Sequence, residues 1–312
     1  MRASRVWTAA SCLLGVAAGV AIEKQQVVLR RGSVLSTWNG NGPAPMLNPR
    51  DLASRRDAIK PGTELRILCA GDSITLGTLS DTDGGDGNGY RLHLRNNLSG
   101  DKVVFAGTVT TKTGTMGDGY FAAWPGKTIK YIGDNIEPSL RQRPNIILLH
   151  AGTNDMNPNP AISKEGNDPA QAVDRLGALV DRMVAACPDA VILVAMIINT
   201  CDAAQAPATH EFQRLIPAMV QRRYNDGRHV LTANMTSFPT SELRPDCIHP
   251  TNSGYRLLGD YWHDFVAQIP RDWIQRPTVP DPHQSGGSSL DQNLFSSLLA
   301  AITLLVGQGL GL

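Results

Sequence analysis

Short apolar runs alternate with amphipathic stretches along most of this chain, and this alternation restricts the possible folds more than any other feature. Five runs rich in Val, Ile and Leu have the length and composition of strands buried on both faces. They cover residues 65–70, 102–106, 145–150, 190–198 and 229–233. Strands of this kind are typical of parallel sheets that carry helices on both sides.

The segments beside these runs have the periodicity of helices. Apolar residues recur in them at mixed spacings of three and four. The segments cover residues 90–98, 128–140, 170–186, 212–224 and 255–266, the last after an N-cap at Thr251 or Asn252. We therefore predict an α/β fold: a three-layer α/β/α sandwich on a five-stranded parallel sheet of flavodoxin-like order 2-1-3-4-5. In that order, a ligand crevice lies at the carboxyl ends of strands one and three.

Two motifs at opposite ends of this region supply a nucleophile and a base. The motif GDSIT places Ser73 directly after the first predicted strand, and the motif DCIHP places His249 three residues after Asp246. A serine hydroxyl must lose its proton to a neighbouring base as it attacks, and an imidazole held by a carboxylate is such a base. Pro250 disfavours helical geometry at His249, so the acid and base are predicted on a loop.

Three donors are predicted for the negative charge that develops on a carbonyl oxygen during such an attack. They are the backbone N–H of Ser73, the backbone N–H of Gly126 in the motif PGKTI, and the side-chain amide of Asn154 in the motif GTND. Gly126 precedes a predicted helix, whose first N–H groups favour negative charge. Gly107, which ends the second predicted strand, is interpreted as a backbone turn. Ser73 and Asn154 follow strands one and three, where the topology also predicts a ligand.

These motifs resemble the four sequence blocks of the SGNH (GDSL-like) hydrolase superfamily, named for its Ser, Gly, Asn and His. The resemblance covers about residues 64–269. The motifs GDGNGYR, WPGKTIKYI, LLHAGTNDM and CIHPTNSGYRLL are most similar to carbohydrate esterase family 3, the acetylxylan esterase group. The resemblance implies a catalytic triad of Ser73, Asp246 and His249, with Ser73, Gly126 and Asn154 forming the oxyanion hole.

Two departures from the family pattern concern specificity rather than chemistry. Residues 121–124 read Phe-Ala-Ala-Trp where the family usually has an acidic residue and glycine, and Cys247 stands where glycine is common. The resemblance implies a serine esterase that removes O-acetyl groups from polysaccharide such as acetylxylan. No Cys/His spacing suggests zinc, and neither a metal nor a cofactor is expected. The alternatives are an esterase or lipase for other short-chain acyl groups, and an inactive carbohydrate-binding module that kept the fold.

The charge of the chain argues against nucleic acid as a partner. The net charge is +1 over 312 residues, and Lys and Arg are not gathered into a basic stripe. The expected partner is an acylated polysaccharide or a small ester.

The two ends of the chain predict export. Residues 1–21 have the basic start, apolar run and small-residue cleavage site of a signal peptide, the alternative being an uncleaved anchor. Residues 22–61 are interpreted as an N-terminal extension or propeptide, the alternative being a segment that packs across the domain. Residues 62–270 are interpreted as the hydrolase domain. Residues 271–293 are predicted to be a Pro/Ser/Gly linker. The apolar tail at 294–312 resembles a glycosylphosphatidylinositol (GPI) signal, the alternative being a loosely docked tail. The protein is thus expected outside the cell, either free or anchored at its surface.

Cysteine positions and acceptor motifs fit an exported chain. Cys187 and Cys201 flank a predicted strand and therefore lie too far apart to be bridged. Cys201 and Cys247 both lie at the carboxyl edge of the sheet, which favours a disulfide between them; the alternative is that all cysteines of the mature chain are buried thiols. Asn97 and Asn234 each begin an N-glycosylation acceptor motif.

Several residues near the motifs have more than one interpretation. Residues 81–88 gather three aspartates that could hold calcium, but without the distal Glu of an EF-hand they are interpreted as a substrate-facing rim. Trp124 either stacks on a sugar ring or packs in the core. His150 is assigned a structural role, and Asp72 and Asp155 are predicted to fix the loops beside the motifs.

Overall fold

The computed structural model describes residues 42–50 and 58–283, which contain a seven-stranded sheet. In chain order the strands are β1 (Met46–Leu47), β2 (Glu64–Gly71), β3 (Lys102–Ala106), β4 (Ala122–Ala123), β5 (Ile146–His150), β6 (Val191–Met196) and β7 (Val230–Asn234). Their spatial order is β1-β7-β6-β5-β2-β3, with β4 beside the end of β2, and every pair is parallel.

The five long strands confirm the predicted fold, and two short strands enlarge it. In chain order the long strands lie as 2-1-3-4-5, as predicted. The predicted strand number of five is corrected to seven, because β1 and β4 add two residues each at the margins of the sheet. A two-residue strand leaves no periodic pattern in a sequence, since its pairing is set by its neighbours in space.

The helices follow the predicted segments with one division and two further differences. They are α1 (Ser73–Leu76), α2 (Arg91–Asn97), α3 (Ile129–Asn135), α4 (Glu137–Leu140), α5 (Pro169–Ala186), α6 (Ala206–Asn225) and α7 (Asn252–Val266). The short α1 was not predicted, and α6 begins six residues before its predicted start at 212. The segment 128–140, predicted as one helix, is divided between α3 and α4. Pro138 explains the break, because proline has no N–H to donate to the preceding turn. The side chain of Thr251 accepts a hydrogen bond from Gly254 N and so caps α7.

Helices cover the sheet in two layers. The helices α3, α5 and α6 pack together over one face, and α2 packs against α7 over the other. Alternate residues of β5, such as Ile147 and Leu149, join the core beneath α3 and α5. All five residues of β5 are buried, as expected for the middle strand of a sheet covered on both sides.

The described residues also extend past the predicted domain boundaries. Residues 46–47, placed in the predicted extension, pair with β7. Residues 271–283, placed in the predicted linker, lie against the domain: Asn145 Nδ2 donates to Gln275 O at 2.6 Å and Arg66 Nη1 donates to Val279 O at 2.9 Å. These side chains satisfy carbonyls of a segment whose prolines restrict its backbone.

Other predictions fall outside the described residues. They concern the signal peptide, most of the N-terminal extension and the apolar tail. Across 42–50 and 58–283, no helix combines the length and apolarity needed to cross a membrane.

Candidate active site

The predicted site residues meet at the carboxyl edge of the sheet. Ser73 follows β2 and Asn154 follows β5, and these two strands are parallel neighbours paired from Ile67 to Gly71. The loop with Asp246 and His249 leads into α7. The topology therefore brings together three segments that are separated by up to 176 residues in the chain.

A tight turn at the end of β2 presents Ser73. Gly71 permits the turn, because a Cβ at this position would lie 2.1 Å from the carbonyl oxygen of His150. The Asp72 side chain then caps α1 by accepting from Ile74 N at 3.0 Å. Ser73 becomes the first residue of α1, with 7% of its surface exposed. Its hydroxyl thus lies at the carboxyl end of β2 and is little exposed.

Ser73, His249 and Asp246 form one chain of hydrogen bonds. The distance between His249 Nε2 and Ser73 Oγ is 2.9 Å, and His249 Nδ1 lies 2.7 Å from Asp246 Oδ2. An ionised carboxylate can only accept, so Nδ1 carries a proton and Nε2 is free to accept the proton of Ser73. The arrangement has the geometry of a nucleophile, a base and the group that orients the base.

Asp246 is held by the backbone as well as by the imidazole. Its Oδ1 accepts from Ile248 N at 3.0 Å and from His249 N at 2.9 Å. Partial burial opposes ionisation of Asp246, but the hydrogen bonds from the His249 ring and from both backbone N–H groups prevail and lower the pKa of its carboxyl below the ordinary value. The carboxylate form is therefore favoured.

A disulfide between Cys201 and Cys247 confirms the predicted pair. Their Cα atoms lie 4.8 Å apart, and the bond joins the loop after β6 to the residue that follows Asp246. Cys69 and Cys187 are buried free thiols, as the alternative interpretation held for all cysteines of the mature chain. Cys247 has φ +60°, a left-handed conformation that favours glycine.

The backbone around Gly126 differs from the predicted helix start. Lys127 N donates to Trp124 O at 3.3 Å, so residues 124–127 form a turn in which Gly126 has φ +67°. The helix α3 begins three residues after Gly126, because this left-handed residue cannot join a right-handed helix. A Cβ at Gly126 would have no heavy atom within 4 Å, so the turn faces open space.

Asn154 and Asp155 tie the loop after β5 to this turn. Asn154 Nδ2 donates to Lys127 O at 3.0 Å, and Asp155 Oδ2 accepts from Ile129 N at 2.9 Å. Asp155 Oδ1 also accepts from Nη2 of Arg175 at 3.0 Å. Burial raises the pKa of Asp155, against the effect of these donors. These hydrogen bonds connect the loop that carries Asn154 with the turn that carries Gly126, the two proposed oxyanion donors.

Sequence reasoning missed Arg175, the partner of Asp155. The only signal was its place in a charged pair, Asp174-Arg175, between the buried positions Val173 and Leu176 of α5, and such residues can equally point to solvent. Its ion pair depends on the meeting of α5 with the loop after β5, which no local pattern encodes.

Two further titratable groups beside the site are fully buried. Burial raises the pKa of Asp72 to about 7, despite the hydrogen bond from Ile74 N. Burial also lowers the pKa of His150 to about 4, so this imidazole is neutral and accepts from Ile198 N at 3.2 Å. His150 has the structural role expected of it.

The acidic loop at 81–88 borders the site and is bound to protein groups. Asp83 Oδ2 accepts from Arg244 Nη1 at 2.9 Å, and Asp86 Oδ1 accepts from Asn88 N at 2.8 Å. Arg244, which sequence reasoning also missed, donates to Leu79 O at 2.9 Å. Within the described ranges, no cluster of three His, Cys, Asp or Glu residues is arranged to hold a metal ion.

Comparison with known proteins places this chain in a family. The model of the GDSL-like lipase/acylhydrolase family matches residues 69–257. A Clostridium thermocellum family 3 carbohydrate esterase shares the fold, with 23% identity and a TM-score of 0.55 over 68% of this chain and 100% of that one.

A second solved structure has the same fold. The family 3 carbohydrate esterase from Talaromyces cellulolyticus shows 21% identity and a TM-score of 0.54 over 67% of this chain and 99% of that one. No curated protein sequence gives a significant match. Since the family model spans more than half of its length, the chain belongs to the GDSL-like lipase/acylhydrolase family and is a carboxylic ester hydrolase.

Proposed function

We propose that this protein is a secreted serine esterase that removes O-acetyl groups from polysaccharide through an acyl-enzyme. The observation that carries the proposal is the hydrogen-bonded chain from Ser73 Oγ through His249 to Asp246, with distances of 2.9 and 2.7 Å. The substrate class is supported by the carbohydrate esterase names of the two structures that share the fold, and by aromatic side chains beside the site.

The first half of the reaction acylates Ser73. Its hydroxyl oxygen attacks the ester carbonyl while His249 Nε2 takes the proton, and Asp246 stabilises the imidazolium that forms. The tetrahedral intermediate collapses as His249 returns the proton to the departing alcohol oxygen, leaving acetyl on Ser73. In the second half, water gives a proton to His249 and attacks the acetyl carbon, which releases acetic acid and restores the Ser73 hydroxyl.

The oxyanion of each intermediate requires preorganised donors. We assign this role to the backbone N–H groups of Ser73 and Gly126 and to the side-chain amide of Asn154. A primary amide has two N–H donors. One of those on Asn154 binds Lys127 O, which orients the amide and leaves the second for the oxyanion.

Asn154→Ala is expected to lower kcat by about 10²- to 10³-fold, because it removes one oxyanion donor and loosens the Gly126 turn. Steady-state hydrolysis of 4-nitrophenyl acetate measures the effect. Asn157→Ala on the same loop is the matched control, since its amide binds Gln205 Oε1 at 3.0 Å, and it should retain most of the activity. An Asn154→Ala enzyme with near-normal kcat would remove this residue from the oxyanion hole.

Two aromatic side chains, one before and one after Gly126 in the chain, provide a surface for a sugar ring. Trp124 and Tyr131 meet edge to face at 5.9 Å between centroids, and Lys127 Nζ lies 4.8 Å from the Tyr131 ring centroid. Trp124 is half-buried against the core, whereas Tyr131 is 37% exposed. An exposed ring held by packing and by a cation can stack on a saccharide. Trp124 thus has a packing role as well as the proposed sugar contact.

The substrate class is tested by comparing acetyl and octanoyl 4-nitrophenyl esters and by measuring acetate released from acetylated xylan. We expect preference for acetyl and release of acetate from the polymer. Tyr131→Ala should lower kcat/KM on the polymer by about 2- to 10-fold and leave hydrolysis of the small ester unchanged, whereas Tyr131→Phe keeps the ring and the activity. Preference for octanoyl would instead favour a lipase for non-carbohydrate esters.

Export is proposed on the predicted signal peptide together with the disulfide. The bond between Cys201 and Cys247 is of a kind that persists in oxidising compartments. Sequencing the amino terminus of protein recovered from the medium tests cleavage after Ala21. Release of cell-bound activity by a phosphatidylinositol-specific phospholipase tests the anchor proposed for residues 294–312.

A further inference from the structure

The residue directly after Asp246 has an unfavourable backbone conformation. Cys247 has φ +60°, in the left-handed region that is costly for residues with a Cβ. Three other non-glycine residues of the described ranges share this feature, but Cys247 alone among them lies inside the proposed proton relay. Other interactions must therefore stabilise Cys247 in this left-handed conformation.

The proton relay requires the left-handed turn. One carboxylate, that of Asp246, accepts from three donors within three residues: Ile248 N, His249 N and His249 Nδ1, at 3.0, 2.9 and 2.7 Å. The chain must fold back immediately after Asp246 for the donors to reach it. An extended residue 247 would carry both N–H groups and the ring away from the carboxylate.

Two backbone hydrogen bonds hold this turn from within, from Cys247 N to Arg244 O at 2.9 Å and from Arg244 N to His249 O at 2.8 Å, and two further bonds join it to the loop after β6. The Cys201 sulfur is covalently bonded to Cys247, and Thr200 Oγ1 donates to Cys247 O at 2.8 Å. Packing contributes little, because Asp246 is exposed and Cys247 and His249 are only half-buried. The disulfide is the covalent link between this turn and the loop after β6.

We propose that Cys201 and Cys247 are positioning residues: their disulfide keeps residue 247 left-handed and so aligns Asp246 and His249 with Ser73. The inference rests on the proposed serine esterase function and deepens it. It also gives a physical reason for cysteine at a position where glycine would adopt the same conformation unaided. The disulfide stabilises a left-handed conformation that glycine would adopt without it.

Two double variants separate the backbone effect from the loss of the cross-link. Both Cys201→Ala/Cys247→Ala and Cys201→Ala/Cys247→Gly lack the disulfide, but only glycine adopts φ +60° readily. We expect kcat for 4-nitrophenyl acetate to fall by about 10- to 100-fold in the alanine variant, with KM nearly unchanged. The glycine variant should recover most of this loss. Equal kcat values in the two variants, whether high or low, would overturn the proposal.

Reduction of the wild-type protein tests the same inference without any substitution, so the result does not depend on whether the variants fold. Cys201 is exposed, so dithiothreitol can reduce the disulfide to two thiols and be oxidised to its own cyclic disulfide. Reduction should lower kcat as the alanine pair does, and reoxidation should restore it, while circular dichroism shows the fold unchanged. Full activity after verified reduction would overturn the proposal.

The labelling rate of Ser73 by a fluorophosphonate separates this inference from the proposed function. Labelling should slow in the alanine pair and recover in the glycine pair, in parallel with kcat. A wild-type protein that neither hydrolyses esters nor reacts with the probe would refute the esterase itself. An active wild type with equally reactive variants would refute only the positioning role.

Discussion

Replacing Ser73 with alanine is expected to lower kcat for ester hydrolysis by about 10⁴- to 10⁶-fold, because no other oxygen can form the acyl-enzyme. Ser73 Oγ is hydrogen-bonded to His249, and the change removes a single atom from a side chain that is not a packing element. The midpoint of thermal unfolding should therefore stay close to that of the wild type. Assays with 4-nitrophenyl acetate and covalent labelling by a fluorophosphonate measure the loss.

A serine-to-alanine substitution at a second position tests whether the loss of activity is specific to Ser73. Ser99 is exposed after α2, near the amino-terminal edge of β3 and at the opposite edge of the sheet from Ser73. Because Ser99→Ala also removes the acceptor motif at Asn97, all three proteins are produced in a host that does not N-glycosylate, and Ser99→Ala should then hydrolyse esters at the wild-type rate. If the kcat of Ser73→Ala equalled that of Ser99→Ala, the assignment of Ser73 as the nucleophile would be wrong.

Asp246→Asn is expected to lower kcat by about 10⁴-fold while leaving the backbone in place. The asparagine oxygen can still accept from Ile248 N and His249 N, so its NH₂ group must face His249 Nδ1. That ring nitrogen then has to accept, which places the proton on Nε2. An imidazole protonated at Nε2 cannot take the proton of Ser73.

Steady-state kinetics between pH 5 and 9, with a thermal unfolding control, measure this effect. The pKa of Asp246 is lowered, so its carboxylate is ionised throughout this range and its own titration contributes no limb to the wild-type profile. Asp83→Asn serves as the control, because Asp83 is an exposed carboxylate bound to Arg244 on the neighbouring rim. A small effect at Asp246, no larger than that at Asp83, would contradict an orienting role.

The features that could be predicted from the sequence are those that depend on local hydrophobic patterns and short motifs. The run at 145–150 is apolar throughout because β5 is buried on both faces, and the order of the long strands follows from the alternation of strand and helix. The meeting of Ser73 with His249 could be expected from the chemistry that each residue needs. The bridge from Cys201 to Cys247 followed from the placement of both at one edge of the sheet.

The features that were missed depend on contacts between distant segments. Gly126 was expected at a helix start, yet the preceding Pro125 and its own freedom favour a turn, and α3 begins later. The pairing of Arg175 with Asp155 and the addition of β1 to the sheet are decided in space. Such contacts leave no periodicity for sequence reasoning to detect.

The strand β1 has a consequence for the solution behaviour of this protein. Met46 and Leu47 lie beside Thr232 and Ala233, so a short segment from near the start of the chain covers part of what would otherwise be a bare outer strand. A chain shortened to begin at residue 60 would leave those N–H and C=O groups ready to pair with a neighbouring copy. The segment that precedes the catalytic motifs of this ester hydrolase is therefore expected to reduce self-association through the edge of β7.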